Sequence, residues 1–557
     1  MAKRRAFSKC LDGIARAAGT AASVWLLASN TTACGDEFTT CGTTRTCAPA
    51  GMSGSSNAGS SSDGGRGGAG EHGGYGGHGG YGGHGGYGEH RGVGAENAGA
   101  GGIEDAAGST GDAGAGGEHK SPCDPTLSPS AEACLVSNEF AVFVDPAGND
   151  SGSGTKASPL RTITKALQLA GADKIVIACT ATFDEQVKVS AGARIYGGFA
   201  CRGSAAPWTY EAGKRAKVAP TARGFALSIA TGAAVVDIAD IEFDAKDGSD
   251  SGDSSIAAFV KESTGVAFHR VKLVAGKGVD GADGTRTDVV FPTQTDLNGN
   301  AAIGDAGGVP NSRMCSAGRS TRGGRGGDGG GPGADGNPGL PDLGGGKGGT
   351  VGSCGPTGTG KDGTDAPSQP PAAGASKVGA IIPTGWIGIP GLDGTPGFPG
   401  QGGGGGAGAA TGGGGGGGGA GGCGGNPGTG GKAGGSSIAL LLQNSTLTFD
   451  AALFSAANAG NGGKGVVGQE GQPQGGSGGD KISKGCAGGA GGKGGSGGAG
   501  GGAAGGISVG IAYQGTTPTP DAATTITVGM SGTKGLGGVP GTNDGIDGKA
   551  QSILEVP

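Results

Sequence analysis

Val236-Asp237-Ile238-Ala239-Asp240-Ile241-Glu242-Phe243 returns 30 residues later as Val266-Ala267-Phe268-His269-Arg270-Val271-Lys272-Leu273. In both copies the apolar residues alternate as in a strand, pause for a two-residue step, and alternate again. A third copy, Leu447-x-Phe449-x-x-Ala452-x-Phe454, follows a long interruption. A companion run precedes each copy: Phe225, Leu227 and Ile229; Ile256, Ala258 and Val260; Ile438, Leu440 and Leu442. Ile507, Val509 and Ile511, followed by Ile526 and Val528, form a last relative. A single unit cannot bury its own apolar row, so each must stack on the next, which predicts an all-β solenoid.

Upstream, Val142 to Val144 reads as a short strand, followed by a polar turn and a helix from Pro159 to Ala170 with Ser158 as its start signal. Ile175 to Ile177, Val187 to Val189 and Arg194 to Phe199 are further strands. Cys179 and Cys201 each follow one of them, and a disulfide between them would pin the first coils if those strands are neighbours. The residues Phe143-Val144-Asp145-Pro146, Gly148, Asp150, Gly154-Thr155, Ser158-Pro159-Leu160, Thr162-Ile163 and Ala166-Leu167 resemble the opening segment of pectin-lyase-like right-handed parallel β-helix proteins. Tyr196-Gly197-Gly198-Phe199 and the long Gly-Gly-Ala runs resemble the glycine-rich PGRS-type proteins of bacterial surfaces. The likeness implies a right-handed parallel β-helix whose open end is capped by the helix, shielding an exposed β-edge.

Of 557 residues, 141 are glycine and 27 proline, the composition of low-complexity or fibrous chain. Residues 276–435 and 458–506 leave the coils and return, as insertions at one turn. In the first, Gly324, Gly327, Gly330, Gly333, Gly336 and Gly339 share a three-residue phase, as do Gly385, Gly388, Gly391, Gly394, Gly397 and Gly400. That register favours polyproline-II-type strands packed through their glycine edges, with disordered loops or a trimeric collagen segment as alternatives. Cys315 with Cys354, and Cys423 with Cys486, would staple these blocks.

The N-terminus has the layout of a secretory leader, residues 1–33: Lys3, Arg4 and Arg5, then a weakly apolar run centred on Val24 to Leu27. Thr31-Thr32-Ala33-Cys34-Gly35 resembles a bacterial lipoprotein cleavage site, with Thr31 where Leu is usual; ordinary cleavage after Ala33 is the alternative. Of 12 cysteines, Cys10 leaves with the leader, and acylation of Cys34 leaves ten that can all pair. The expected address is the cell envelope or outer membrane surface, with a lipid anchor as the membrane partner. Residues 34–139 form a flexible tether in which Cys41 and Cys47 are close enough for a small loop. Within it His72, His78, His84 and His90 recur every sixth residue, a candidate transition-metal tract.

The remaining chemistry is sparse. The net charge of −6 and scattered basic residues predict no nucleic-acid partner. Asp244, Asp247, Asp250 and Asp253 recur every third residue and are the candidate calcium ligands, although the spacing matches neither the EF-hand nor the nonapeptide calcium repeat and a solvated turn is the competing account. The outward columns read Asp237, Ala267, Thr448 and Glu242, Lys272, Leu453, so no carboxylates stack, and Glu242 with Lys272 is an exposed ion pair. His269 falls in the turn with no evident carboxylate partner. No catalytic residue or required cofactor emerges. The organisation expected is coils at 140–275, 436–457 and 507–557, around the two insertions. The function expected is a non-catalytic exported structural or adhesive protein that contacts extracellular glycans or matrix. The alternatives are a polysaccharide lyase or glycoside hydrolase acting on acidic glycans, suggested by the fold likeness alone, and a metal-binding tether.

Overall fold

The computed structural model describes residues 123–202, 207–337, 344–351 and 354–557. The chain is all-β, with parallel sheets and few helices. Three six-strand stacks carry the architecture. The first holds Ala141–Val144, Ile175–Cys179, Ala193–Ala200, Val236–Ala239, Val266–His269 and Leu447–Asp450 in spatial order. The second runs Thr182–Phe183, Ala216–Val218, Ile241–Asp244, Lys272–Ala275, Leu453–Ala456 and Thr525–Thr527. The third runs Val187–Val189, Leu227–Ile229, Ser255–Lys261, Ser437–Gln443, Ser508–Gln514 and Ala550–Glu555. From Ile175 to Gln514 the chain visits first, second and third sheet in turn, a path compatible with a parallel β-helix, and the last circuit adds strands to the second and third sheets alone. The repeat register holds residue for residue: Val266 pairs with Val236 and Leu447, and Phe268 with Ile238 and Phe449.

The two-residue step in the repeat is a corner. Asp240, Arg270 and Ala451 each turn the chain from first to second sheet with φ of 55°, 54° and 51°. A left-handed residue costs about 1–2 kcal/mol when it carries a side chain. Hydrogen bonding across the corner offsets that cost, since the N–H of Asp240 donates to His269 and that of Arg270 to Asp450. Inside, Phe183, Phe243, Phe268 and Phe454 are fully buried with aliphatic residues of all three sheets. Each such side chain contributes roughly 1.5–3 kcal/mol.

Helix α1 spans Ile163–Ala170, not Pro159 to Ala170. Leu160 cannot be helical because its N–H donates to Phe143 and its carbonyl accepts from Asp145, extending the first sheet. The cap is Thr162, whose hydroxyl accepts from the Lys165 N–H, while Glu185 takes the N–H groups of Ile163 and Thr164 at 2.7 and 2.9 Å. Ile163, Ala166 and Ala170 are buried, and the helix packs on the first strands of the first and third sheets.

The glycine blocks leave from one place. The excursions 276–436, 457–507 and 528–549 all depart between second and third sheet, on successive circuits. Together they form one lattice, so 528–549 belongs to it and not to terminal coils. The N–H groups of Gly391, Gly394, Gly397 and Gly400 donate to the carbonyls of Gly431, Gly428, Gly425 and Gly422. Gly422, Gly425, Gly428 and Gly431 donate in turn to Gly492, Gly495, Gly498 and Gly501. One bond every third residue is the periodicity of three-residue-per-turn strands lying side by side.

Glycine density follows depth in this lattice. At Gly403, Gly404 and Gly405 a Cβ would sit 2.2, 2.1 and 2.0 Å from carbonyls of Gly489, Lys347 and Arg325, three different neighbours. Residues 401–408 are buried throughout, and all are glycine but Gln401 and Ala407. In 391–400 the bonded phase alone is invariably glycine, and Leu392, Asp393 and Thr395 face outward. The two six-triplet registers are not continuous, however. The first turns back at Gly330, which has φ of 74°, and Gly339 lies outside the described residues. In the second, Gly385–Gly388 pairs with Gly379–Ile382 as an antiparallel hairpin. Disulfides join Cys315 to Cys423 and Cys354 to Cys486, not Cys315 to Cys354 and Cys423 to Cys486, because the partners lie on adjacent lattice segments far apart in sequence.

The hairpin explains the uninterrupted apolar run Ile438 to Leu442. A second buried cluster, with Ile256, Phe259, Leu441, Val509 and Leu554, lies on the third sheet and is covered by Ile381 of the hairpin. Strands buried on both faces lose alternation. Replacing Gly405 by Ala should lower stability by at least about 3 kcal/mol, since the obstacle is backbone and cannot swing away. Gly355→Ala, where a Cβ meets nothing within 4 Å, should change it by less than about 0.5 kcal/mol. Thermal melts of the two variants beside the parent check the contrast.

Candidate functional site

The acidic loop sits at the same corner as the glycine excursions, one circuit earlier, and it starts the lattice. The Gly248 N–H donates to Lys277, that of Gly252 to Asp280, and that of Lys277 to the Asp247 carboxylate at 2.6 Å. The spacing of three is therefore the lattice period. The four carboxylates do not converge: Asp244 meets Lys217 at 2.6 Å, while Asp250 and Asp253 both hold Arg223. Burial alone would raise the Asp253 carboxyl, but the N–H groups of Asp250 and Ser249 and the Arg223 guanidinium outweigh it and hold it below the usual range. With every member of the loop so engaged, the calcium reading does not fit. Other acids do the same work at the lattice edge. Asp280 and Asp283 accept from the N–H groups of Asn461 and Lys464, and Asp335 from Gly348.

On the first sheet's outer face the structure corrects the reading of His269. It ends a strand, with Nδ1 at 3.1 Å from Asp450 and Nε2 at 3.5 Å from Asp237. Asp450 is its register partner on the next circuit and was hidden by the interruption between copies. Tyr196 donates to the other oxygen of Asp237, and Asp240, almost fully buried, takes both Arg270 at 2.8 and 2.7 Å and the Tyr210 hydroxyl. Burial, then the Asp237 carboxylate, push the Tyr196 phenol well up. Below this network Glu242 pairs with Lys272 at 3.2 Å, and also with Lys217 at 3.3 Å. These side chains are half-buried rather than exposed as expected, and the pairs still face solvent at their lysine ends.

A cavity of about 530 Å³ lies where the third sheet, the hairpin and the lattice meet. Phe225 and Ile256 supply one wall, Trp386 another, and Asp253, Thr384 and Lys432 the polar rim. Lys261 donates to the Pro383 carbonyl at 3.1 Å and ties the hairpin to the sheet. The Trp386 indole N–H is buried with no acceptor among the described residues. Sequence reasoning missed this site because it placed Gly385 and Gly388 in a triplet register. The available signal was Ile381-Ile382-Pro383-Thr384-Gly385-Trp386-Ile387, two β-prone pairs around a turn.

Among the described residues, Cys123, Glu132 and Cys134, and Asp145, Cys179 and Cys201, have ligand atoms close enough for a metal. Their cysteines are paired as Cys123–Cys134 and Cys179–Cys201, and a disulfide sulfur is not a thiolate ligand. Cys34, Cys41, Cys47, His72, His78, His84 and His90 lie outside the described residues. No described helix is long and apolar enough to cross a membrane.

Residues 146–241 match the model of a family described as a protein of unknown function (DUF1565), one associated with right-handed β-helix-like proteins. The match covers the opening loop, α1 and the first circuits. No curated protein and no solved structure matches the chain.

The edge carboxylates make the lattice acid-sensitive. Lys347, then the Gly348 N–H, hold Asp335 below the usual carboxylate range, and the N–H groups of Gly537 and Gly541, with Lys534, do so for Asp544. A depressed folded pKa stabilises above the unfolded value, near 4, and that stability is lost as pH falls through the folded one. The melting temperature should therefore be level from pH 8 to 5 and fall below about pH 4. Asp335→Asn and Asp544→Asn together should shrink the fall.

Proposed function

We propose that this chain is a right-handed parallel β-helix, capped by α1 and widened at one corner by a glycine lattice, that serves as a non-catalytic binding or adhesive protein of the cell surface. In this reading residues 1–33 are removed, Cys34 carries the lipid anchor, and the lattice is the counterpart of PGRS-type glycine blocks. The observation that carries the binding role is the junction cavity. Its one carboxylate, Asp253, takes the N–H groups of Asp250 and Ser249 and the Arg223 guanidinium on Oδ2, and they hold it below the usual carboxylate range, which makes it a weak general base. Aromatic and hydroxyl groups on a disulfide-stapled frame suit recognition without turnover. Purified protein should be retained on beads carrying at least one polysaccharide from a set of cellulose, chitin, β-glucan, pectin, alginate and hyaluronan. It should release neither reducing ends nor unsaturated products from any of them, with or without Ca²⁺. Failure of retention on every bead would remove the reading.

A second reading, a glycoside hydrolase, is favoured by the placement of His269 between Asp237 and Asp450, because hydrolysis of glycosides uses paired carboxylates. Against it, the imidazole occupies the gap a glycosidic oxygen would need, and Tyr196 holds Asp237. If this reading is correct, pectin or another acidic glycan yields reducing ends, and Asp237→Asn or Asp450→Asn lowers the rate at least 100-fold.

A further inference from the structure

The ligand class of the junction cavity can be taken one step further, in an argument that rests on the binding role proposed above. We propose that the cavity holds a neutral pyranose unit of a glycan, its C–H face on the Trp386 ring and its hydroxyls toward Thr384 and Lys432. At about 530 Å³ the space is within the range of sites for small ligands, about 300–1,000 Å³. Its lining is mixed in a particular way. One side is aromatic and aliphatic, from Trp386, Phe225 and Ile256, and the rim is hydroxyl and charge, from Thr384, Asp253 and Lys432. A pyranose ring has that same division, an apolar face bounded by a belt of hydroxyls. A wholly apolar ligand would leave the rim's polar groups unpaired, which is unfavourable once water is expelled.

Charge argues for a neutral ligand. The lining side chains include one carboxylate, Asp253, and one ammonium, Lys432. Lys432 is exposed and has no ion-pair partner among the described residues, whereas Arg223, the nearby second cation, is committed to Asp250 and Asp253. A phosphate or polyanion would meet a single free cation together with the Asp253 carboxylate. An ammonium is also a good donor to neutral hydroxyls.

The hairpin strand that carries Trp386 borders the cavity, and Ile387 beside it is 48% exposed, so the wall is open to a ligand. The wall is held ready by the Lys261 bond to Pro383. Gly385, with φ of 130° and a Cβ that would lie 2.8 Å from the Phe225 ring, keeps the hairpin close against the sheet.

Calorimetric titration of the full chain with cellohexaose and laminarihexaose, and with hexagalacturonate as the acidic arm, tests this. At least one neutral hexasaccharide should bind, and hexagalacturonate at least 10-fold more weakly. Trp386→Ala should reduce affinity at least 10-fold, Trp386→Phe by less, since an aromatic stacking face remains, and Lys432→Met at least 3-fold. Lys432 is at the exposed rim, so its variant keeps the test valid should Trp386→Ala fail to melt cooperatively. The proposal is overturned if hexagalacturonate binds more tightly than both neutral probes, or if Lys432→Met and whichever Trp386 variant folds bind like the parent. Retention on beads with no uptake of either neutral hexasaccharide would overturn this assignment and leave the binding role standing. Loss of bead retention as well would remove both.

Discussion

Carbonyl oxygens packed where side chains would otherwise be are the constraint on which the structure depends. In the lattice, backbone N–H groups reach the carbonyls of a neighbouring segment every third residue, and the segments lie so close that a Cβ would overlap an oxygen at about 2 Å. The lattice therefore has almost no hydrophobic core of its own. Backbone pairing replaces burial, and each net bond contributes only about 1 kcal/mol, so many must form together. Two long-range disulfides, Cys315–Cys423 and Cys354–Cys486, reduce the entropy lost in bringing distant segments together.

The β-sheets supply what the lattice lacks. Their enclosed phenylalanines and aliphatics are a conventional core, and the stacked corners keep each circuit the same width. Because the excursions leave from one corner on consecutive circuits, their first residues are already in register when they enter the lattice. The acidic loop at 245–254 is the shallowest layer of that arrangement. Its aspartates cap N–H groups and pair with Arg223, and acids along the other edges do likewise. Much of the acidic character of the chain is edge satisfaction, which leaves few carboxylates free for chemistry.

The junction between the two bodies is where binding chemistry collects. The hairpin bearing Trp386 departs from the lattice, covers the third sheet, and stops short of its first strands. The uncovered remainder is the cavity. The His269 network on the first sheet is the other concentration of polar groups, and there each group already has partners on adjacent circuits, as a stitch between coils would.

The apolar repeat, its register and the three-residue phase of the glycines were legible in the chain, because each reflects a local period: two for a strand, three for an extended helix. Periods say which residues share a face. They are silent on which distant segment lies against that face, and that choice belongs to packing. Asp450 beside His269, Cys423 beside Cys315, and Trp386 over the third sheet all depend on contacts across more than a hundred residues, where sequence spacing has no bearing on distance. Thr162 shows the same limit at short range: Ser158-Pro159 is a sound helix start by composition, yet pairing of Leu160 with the first strand claimed the backbone and moved the start to Thr162. What the sequence by itself determined was the kind of element each stretch could form; only the tertiary structure decided which carbonyl faced which N–H, because that is set by the filling of space among all segments at once.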